Sequence, residues 1–177
     1  MKTLKTLLIA FLATATLISC KNDDDNNDDF LLNNTNLAGT YDLTFLRADG
    51  TTTVEVQGIP VTATTESVGD TFQVTMDFND NGTFVLDGQY RLVTTVTAAG
   101  QTETDSEILV IDNETGNYAI DANAQTITFS NTNQEGFDAV WDVTLFNQSE
   151  VRLVNETSET NGQGTVMITT EIRFVRQ

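Results

Sequence analysis

Apolar and polar residues alternate one by one along most of the chain after residue 36. The segments that show this pattern most plainly are those around Tyr41, Phe72, Phe84, Trp141 and Phe174. A period of two residues places successive side chains on opposite faces of a strand, so that one face is buried and the other meets water. The pattern therefore predicts half-buried antiparallel strands, and no segment has the 3.6-residue period of an amphipathic helix.

Turn-forming residues separate these segments, namely Asp49-Gly50, Gly58-Ile59-Pro60, Asn81-Gly82, Ala99-Gly100, Thr115-Gly116 and Asn161-Gly162. Such sequences favour tight hairpins between consecutive strands. About eight to ten strands joined in this way are typical of an up-and-down barrel or a meander sandwich. Because closure of a sheet removes its exposed edges, we expect an all-β fold with an antiparallel up-and-down β-barrel over residues 37–177.

Two of the predicted hairpins, 51–67 and 94–106, are longer and more polar than the rest. Both are rich in Thr and contain few large apolar residues. We expect them to project past the core as solvated arms, and the alternative is that they flank the mouth of a barrel.

The first twenty residues have the order of features found in bacterial lipoprotein signals. Lys2 and Lys5 precede an apolar run over residues 7–18, which is too short to span a bilayer but fits a signal peptide. The sequence Leu17-Ile18-Ser19-Cys20 resembles a lipobox. It implies removal of residues 1–19 and attachment of acyl chains such as palmitate to Cys20, so that the protein is anchored to a membrane.

A run of Asp and Asn follows the cysteine. Its composition cannot bury enough apolar area to offset the entropy of ordering, so residues 20–36 are predicted to be the lipidated cysteine and a disordered acidic tether. Acidic residues shortly after a lipidated cysteine resemble the signals that send some lipoproteins to the outer face of the outer membrane. A plain spacer on a periplasmic protein is the alternative.

The charge of the chain limits its partners. There are 26 acidic and 8 basic residues, a net charge of −18, and loss of Lys2 and Lys5 with the signal leaves 6 − 26 = −20. Nucleic acid requires Lys and Arg contacts, so we exclude it as a partner. High solubility explains the charge more simply than weak binding of divalent cations does, and we expect a monomer.

Candidate catalytic groups are scarce. The chain has no His, which removes the usual imidazole acid–base chemistry, and its single cysteine is the predicted lipid site. Asp77 to Gly82 matches the first half of a calcium loop, but Gly88 stands where the bidentate Glu would be, so a hairpin turn is the better interpretation. We therefore expect no enzyme activity, no cofactor and no metal.

Several short motifs resemble the lipocalin-like domains of small Gram-negative lipoproteins. They are Leu37-Ala38-Gly39-Thr40-Tyr41-Asp42-Leu43, the hairpin Phe78 to Phe84, the later pair Tyr118-x-Ile120 and Ile127-x-Phe129, and the terminal Ile172 to Arg176. Tyr41 stands where lipocalins usually have Trp. The resemblance implies a lipocalin-like barrel in which Arg173 or Arg176 packs over Tyr41 as a cation–π contact. It carries over no ligand.

Five aromatic residues are candidates for the lining of a cavity or for the core, namely Tyr41, Phe45, Phe72, Phe84 and Trp141. A barrel of eight strands is near the size at which side chains alone fill the interior, so we expect a filled or small cavity. The predicted function is binding, either of a small hydrophobic ligand in the barrel or of a protein partner at its rim. A structural lipoprotein with a filled barrel is the remaining alternative.

Overall fold

The structure is a computed structural model that describes residues 30–132, 137–161 and 164–177. The predicted signal peptide, the lipidation site at Cys20 and residues 21–29 of the tether lie outside these ranges. In the part of the chain that is described, no helix is both long enough and apolar enough to cross a membrane.

Eight strands and one short helix are present in the described residues. They are α1 Asn34–Leu37, β1 Gly39–Val56, β2 Ile59–Phe78, β3 Thr83–Ala98, β4 Gln101–Asp121, β5 Thr126–Ser130, β6 Val140–Phe146, β7 Glu150–Asn161 and β8 Gly164–Arg176. Each strand pairs antiparallel with the next, and β8 pairs with β1, so that the sheet closes on itself. The prediction of an all-β antiparallel fold is confirmed, with eight strands in a closed sheet.

Three predicted turns lie where the sequence places them. Gly58, Gly82 and Gly100 adopt positive φ angles of 80°, 85° and 78° at the β1–β2, β2–β3 and β3–β4 hairpins, a region that glycine enters without steric cost.

Two other predicted turns are wrong, because Asp49-Gly50 lies inside β1 and Thr115-Gly116 inside β4. Residues 49 and 50 pair with both β2 and β8, so tertiary pairing overrides the local turn signal. An added Cβ at Gly116 would lie 2.8 Å from the ring of Phe84, which shows that this glycine makes room for core packing.

The two ends of the sheet differ. At the closed end lie α1 and the β2–β3 and β6–β7 turns, whereas the β1–β2, β3–β4 and β7–β8 hairpins extend at the opposite end. Among the described residues, β4 pairs with β5 only through Asn117–Asp121, and β7 pairs with β6 only through Val151–Val154. Beyond these points six strands continue in the order β4-β3-β2-β1-β8-β7. We call residues 47–68, 91–110 and 155–171 of these strands the projecting sheet, and it contains both predicted arms.

Aromatic side chains fill the closed part of the sheet. The rings of Tyr41 and Phe78 meet edge to face at 5.6 Å, those of Phe78 and Tyr118 at 5.2 Å, and those of Phe84 and Phe129 at 5.4 Å. All five side chains are buried. Edge-to-face packing adds to the free energy gained from area burial, so this cluster is the main core of the domain.

The chain before β1 covers the closed end. Asn33 caps α1, because its side-chain oxygen accepts a hydrogen bond of 2.8 Å from the backbone N–H of Asn36. Leu32 and Leu37 are buried, and the ring of Phe30 lies 4.9 Å from that of Phe146. A disordered tether as far as residue 36 is therefore wrong for residues 30–36, because their apolar side chains find a surface to pack on.

Arg176 links this segment to the last strand. Its guanidinium lies 4.7 Å from the ring centroid of Tyr41 and donates to the backbone oxygens of Asn36 and Ala38 and to the Tyr41 hydroxyl. The Tyr41 hydroxyl donates in turn to the oxygen of Leu37 at 3.0 Å. One side chain thus joins the covering segment, β1 and β8.

Candidate functional site

A cavity of about 310 Å³ lies above the aromatic core, where the closed sheet passes into the projecting sheet. Most of its lining is apolar, from Leu43, Leu46, Val74, Leu86, Ile111, Phe137, Trp141, Ile168, Ile172 and Phe174. Its polar lining comes from Tyr90, Asn155, Thr157 and Thr170. No charged side chain of the described residues lines it, so the cavity offers an apolar surface with a few neutral hydrogen-bonding groups.

Strand irregularities shape the cavity. Pairing of β1 with β8 shifts by one residue between Leu43 and Phe45, which leaves Thr44 as an extra residue. Leu43 and Leu46 both line the cavity for this reason, although strict alternation would put residues three apart on opposite faces. The bulge thus places Leu46, and not Phe45, on the inner face.

The backbones of β2 and β3 approach each other closely at Gly88. Gly88 has a φ of 127°, and an added Cβ there would collide with the backbone oxygen of Gln73 on β2. Pairing of β2 with β3 shifts just beside it, between Asp70 and Gln73. Only glycine fits this position, which lies between the cavity-lining residues Leu86 and Tyr90.

The polar groups of the cavity are held by specific partners. The Asn155 amide donates to the backbone oxygen of Val140 at 2.8 Å, and the Trp141 indole N–H donates to the oxygen of Phe137 at 3.3 Å. Burial raises the pKa of Tyr90, and the negative charge of Glu107 raises it further. Tyr90 therefore stays neutral at physiological pH.

The structure separates the five aromatic candidates. Trp141 lines the cavity, whereas Tyr41 and Phe84 belong to the aromatic core beneath it. Phe72 borders a slot between β1 and β2, where their pairing is interrupted between Asp42 and Arg47. Phe45 lies outside the cavity.

Phe45 and Arg173 pack on each other on the outer face of the sheet. The Arg173 guanidinium lies 4.3 Å from the Phe45 ring centroid, so Arg176 and not Arg173 is the arginine over Tyr41. The bulge at Thr44 reverses the alternation and turns Phe45 outward. Aromatic content alone could not reveal this, since the bulge depends on pairing with β8.

Most cavity residues were missed because they are ordinary aliphatic positions of strands. Ile168 and Ile172 belong to the alternation of the last strand, which is a signal for a buried face but not for a cavity. Phe137 lies in the β5–β6 connection, where no periodicity marks it. Its ring packs 4.6 Å from Phe129 and 6.0 Å from Trp141.

The loop that resembles half of a calcium site forms the β2–β3 turn. The backbone N–H of Asn79 donates to Thr83 at 2.8 Å, and that of Gly82 donates to Asn79 at 3.1 Å. Across the described residues there is no group of three or more His, Cys, Asp or Glu side chains placed to hold a metal ion. A hairpin accounts for this sequence.

Comparison with known proteins finds no relative, since no protein-family model, curated protein or solved structure matches the chain. Its function must therefore be inferred from its own cavity, charges and N-terminal sequence.

Proposed function

We propose that this protein is a lipid-anchored outer-membrane lipoprotein whose lipocalin-like domain binds a small hydrophobic ligand. The cavity carries the proposal of binding. Its volume of about 310 Å³ lies at the lower end of the range of typical ligand pockets, about 300–1,000 Å³. The ligand, or the part of it that enters, is accordingly small and apolar.

The strand arrangement supports a lipocalin-like assignment. Consecutive strands in a closed sheet and an arginine of the last strand over an aromatic ring of the first both agree with the resemblance. The proposal includes no catalytic step and no nucleic acid, because the cavity lining carries no charged group and the chain is strongly acidic.

Ligand binding is tested by filling the cavity. Thr170 lines it, and its neighbour Thr169 is exposed on the outer face of β8. With the neutral probe N-phenyl-1-naphthylamine, we expect Thr170→Phe to weaken binding at least tenfold and Thr169→Phe to leave it unchanged. Trp141, the single Trp of the chain, lines the cavity and reports binding by energy transfer to the probe.

Absence of probe binding to the wild type, or equal binding by the two variants, would refute the cavity as a ligand site. Circular dichroism of both variants checks that the fold is kept.

Lipid anchoring rests on the N-terminal sequence. Replacement Cys20→Ala should abolish acylation and leave the protein unprocessed or soluble, as measured by metabolic labelling with palmitate and by partition into Triton X-114. A variant that still partitions with detergent like the wild type would contradict the lipoprotein assignment. Residues 21–29 would then have no role as a spacer.

One observation favours a second candidate, a surface lipoprotein that binds a protein partner. Ile108 and Val110 are 66% and 69% exposed on β4, and both lie on the outer face of the projecting sheet. Exposed aliphatic side chains on a strand edge are typical of an interaction surface. Substitution of both residues by Thr would weaken the affinity for such a partner and leave probe binding in the cavity unchanged.

A further inference from the structure

The concave face of the projecting sheet continues the apolar lining of the cavity. Ile168, at the mouth of the cavity, pairs with Gly50, Gly50 pairs with Thr65, and Thr65 pairs with Val96. Paired residues of antiparallel strands point to the same face, so this row crosses four strands on the concave side. Ile168 and Val96 are each 39% exposed there. The small cavity thus opens onto a concave surface, which we call the trough, whose floor carries Ile168 and Val96.

Carboxylates border this trough on both edge strands. Val96 and Leu92 of β3 pair with Glu103 and Glu107 of β4, which places both carboxylates on the concave side. On the other edge, Glu159 of β7 pairs with Val166, two residues from Ile168. Negative charge therefore faces the trough from both sides.

The carboxylates lie close to the cavity. Glu159 is two residues beyond Thr157, which lines the cavity, a distance of about 7 Å along a strand. Glu107 acts on the hydroxyl of Tyr90, another lining residue, and raises its pKa. A molecule anchored in the cavity would extend between the two edge strands that carry these carboxylates.

The described strand segments around the trough carry no cation to neutralise them. Residues 48–67, 92–110 and 155–170 contain Asp and Glu but no Lys or Arg. Arg47 and Arg91, at the base of the projecting sheet, are paired with Asp49 and Asp70 at 2.7 and 2.5 Å. The carboxylates at the border of the trough can therefore interact with a cationic ligand.

Protection of the strand edge against aggregation accounts for some of this charge. On the same stretch of β4 the outward positions carry Thr102, Thr104, Ile108 and Val110, with no charge, whereas Glu103, Asp105 and Glu107 all alternate to the concave face. Inward-pointing charges also protect an edge, so this placement by itself does not identify a ligand. What favours a ligand is that these carboxylates stand beside an apolar cavity.

We propose that the ligand of the cavity is a cationic amphiphile, with its apolar tail in the cavity and an ammonium-type head group between Glu107 and Glu159. This inference rests on the proposed function and specifies the chemical class of the ligand. Charge-assisted contacts with carboxylates beside an apolar wall are stronger than the same contacts in open water. An anionic amphiphile such as a fatty acid is disfavoured by the same carboxylates.

The test compares three twelve-carbon probes below their micellar concentrations: dodecylammonium, dodecanol and dodecanoate. The sample is the soluble Cys20→Ala protein, which has no acyl chain and keeps the whole domain from residue 30 onward. Binding is followed by calorimetry and by Trp141 fluorescence. We expect dodecylammonium to bind at least tenfold more tightly than dodecanol, and dodecanoate to bind more weakly than either.

Two double variants with the same change in net charge provide the control. Glu107→Gln with Glu159→Gln should reduce dodecylammonium affinity to the level of dodecanol and leave dodecanol affinity unchanged. Glu55→Gln with Glu156→Gln removes two acids from the outer face and should leave the tenfold preference in place.

The outcomes separate the two proposals. If no probe binds, the proposed ligand function fails. If dodecanol binds as tightly as dodecylammonium, or if both double variants lose the preference equally, the cationic head group is refuted while ligand binding stands. Equal competition by tetralysine, which has no apolar tail, would overturn the amphiphile in favour of a basic peptide.

Discussion

The closed part of the sheet and the projecting sheet are built from the same long antiparallel strands but differ in the burial of their inward side chains. Near the closed end, inward side chains are large and buried, from Tyr41 and Met76 to Phe174. In the ranges 48–67, 92–110 and 155–171, no residue whose side chain is described is buried. The domain is thus held together in one half and left accessible in the other.

The difference shows which half stabilises the domain and which half is accessible for the proposed ligand. Local opening of a protein costs least where few apolar contacts are buried, and binding sites are drawn from such regions. The projecting sheet is held by its backbone ladders and by cross-strand hydroxyl pairs such as Thr97–Thr102 at 3.0 Å and Thr95–Thr104 at 3.1 Å. Each such pair contributes only about 0.2–1 kcal/mol.

The largest effect should come from Tyr41. Replacement Tyr41→Ala removes a fully buried ring and the hydroxyl that joins Leu37 to Arg176, and it should cost about 3–5 kcal/mol of unfolding free energy. Urea denaturation of the soluble protein measures this. The exposed neighbour provides the control, since Asp42→Ala should stay within about 0.5 kcal/mol. Equal, small effects would place the main core elsewhere and break the comparison.

An intermediate effect is expected from pH. Burial, together with the nearby charge of Asp80, raises the pKa of Tyr118 to about 12. Its pKa in the unfolded chain is about 10, so the neutral hydroxyl favours folding below that pH, and this contribution is lost as the pH rises towards 12. Unfolding free energies from urea titrations at pH 8 to 12 should fall steeply above pH 10.

Tyr118→Phe sharpens the pH experiment. It removes the hydroxyl that donates to the backbone oxygen of Asn79 and should cost about 0.5–1.5 kcal/mol at pH 8. Above pH 10 the unfolding free energy of the variant should fall less steeply with pH than that of the wild type. If the two slopes are the same, Tyr118 is not a source of alkaline instability.

The smallest effect belongs to the projecting sheet. Thr97→Ala removes one hydroxyl of an exposed cross-strand pair and should cost no more than about 0.5 kcal/mol of global stability. Hydrogen exchange should nevertheless show faster exchange in the β3–β4 hairpin, because that hairpin opens locally. A coupling energy between Thr97→Ala and Thr102→Ala of several kcal/mol would contradict the view that this half is held weakly.

Sequence reasoning reached the parts of this fold that depend on local pattern. Alternation predicted the strands, and glycines in turn-forming sequences predicted three hairpin turns. The polar composition of 51–67 and 94–106 predicted the arms that project. Phe45 and Leu46 show where it fails. Which of the two faces the interior depends on the bulge at Thr44, and that bulge is set by pairing with a strand more than a hundred residues away.

The cavity depends on similar long-range choices. β5 and β6 are short, so the wall beside them is missing and the neighbouring strands are left with free edges. The residues near Thr126 and Val140 do not predict that β5 and β6 are short. The length of these strands depends on their pairing, which on β4 involves only Asn117–Asp121. The composition of segment 30–36 predicts a tether because it is rich in Asn, whereas its order depends on the packing of Phe30 and Leu32 on distant parts of the domain.

Both chain termini of the described domain lie at the closed end. Phe30 packs against Phe146 beside the β6–β7 turn, and the backbone N–H of Gln177 donates to the oxygen of Thr40 at 3.0 Å. Whatever is attached ahead of Phe30, whether an acyl anchor, a purification tag or a sensor chip, therefore joins the domain at the pole opposite the cavity mouth. In a protein immobilised through its N-terminus, the acidic trough would therefore lie on the side of the domain away from the attachment point.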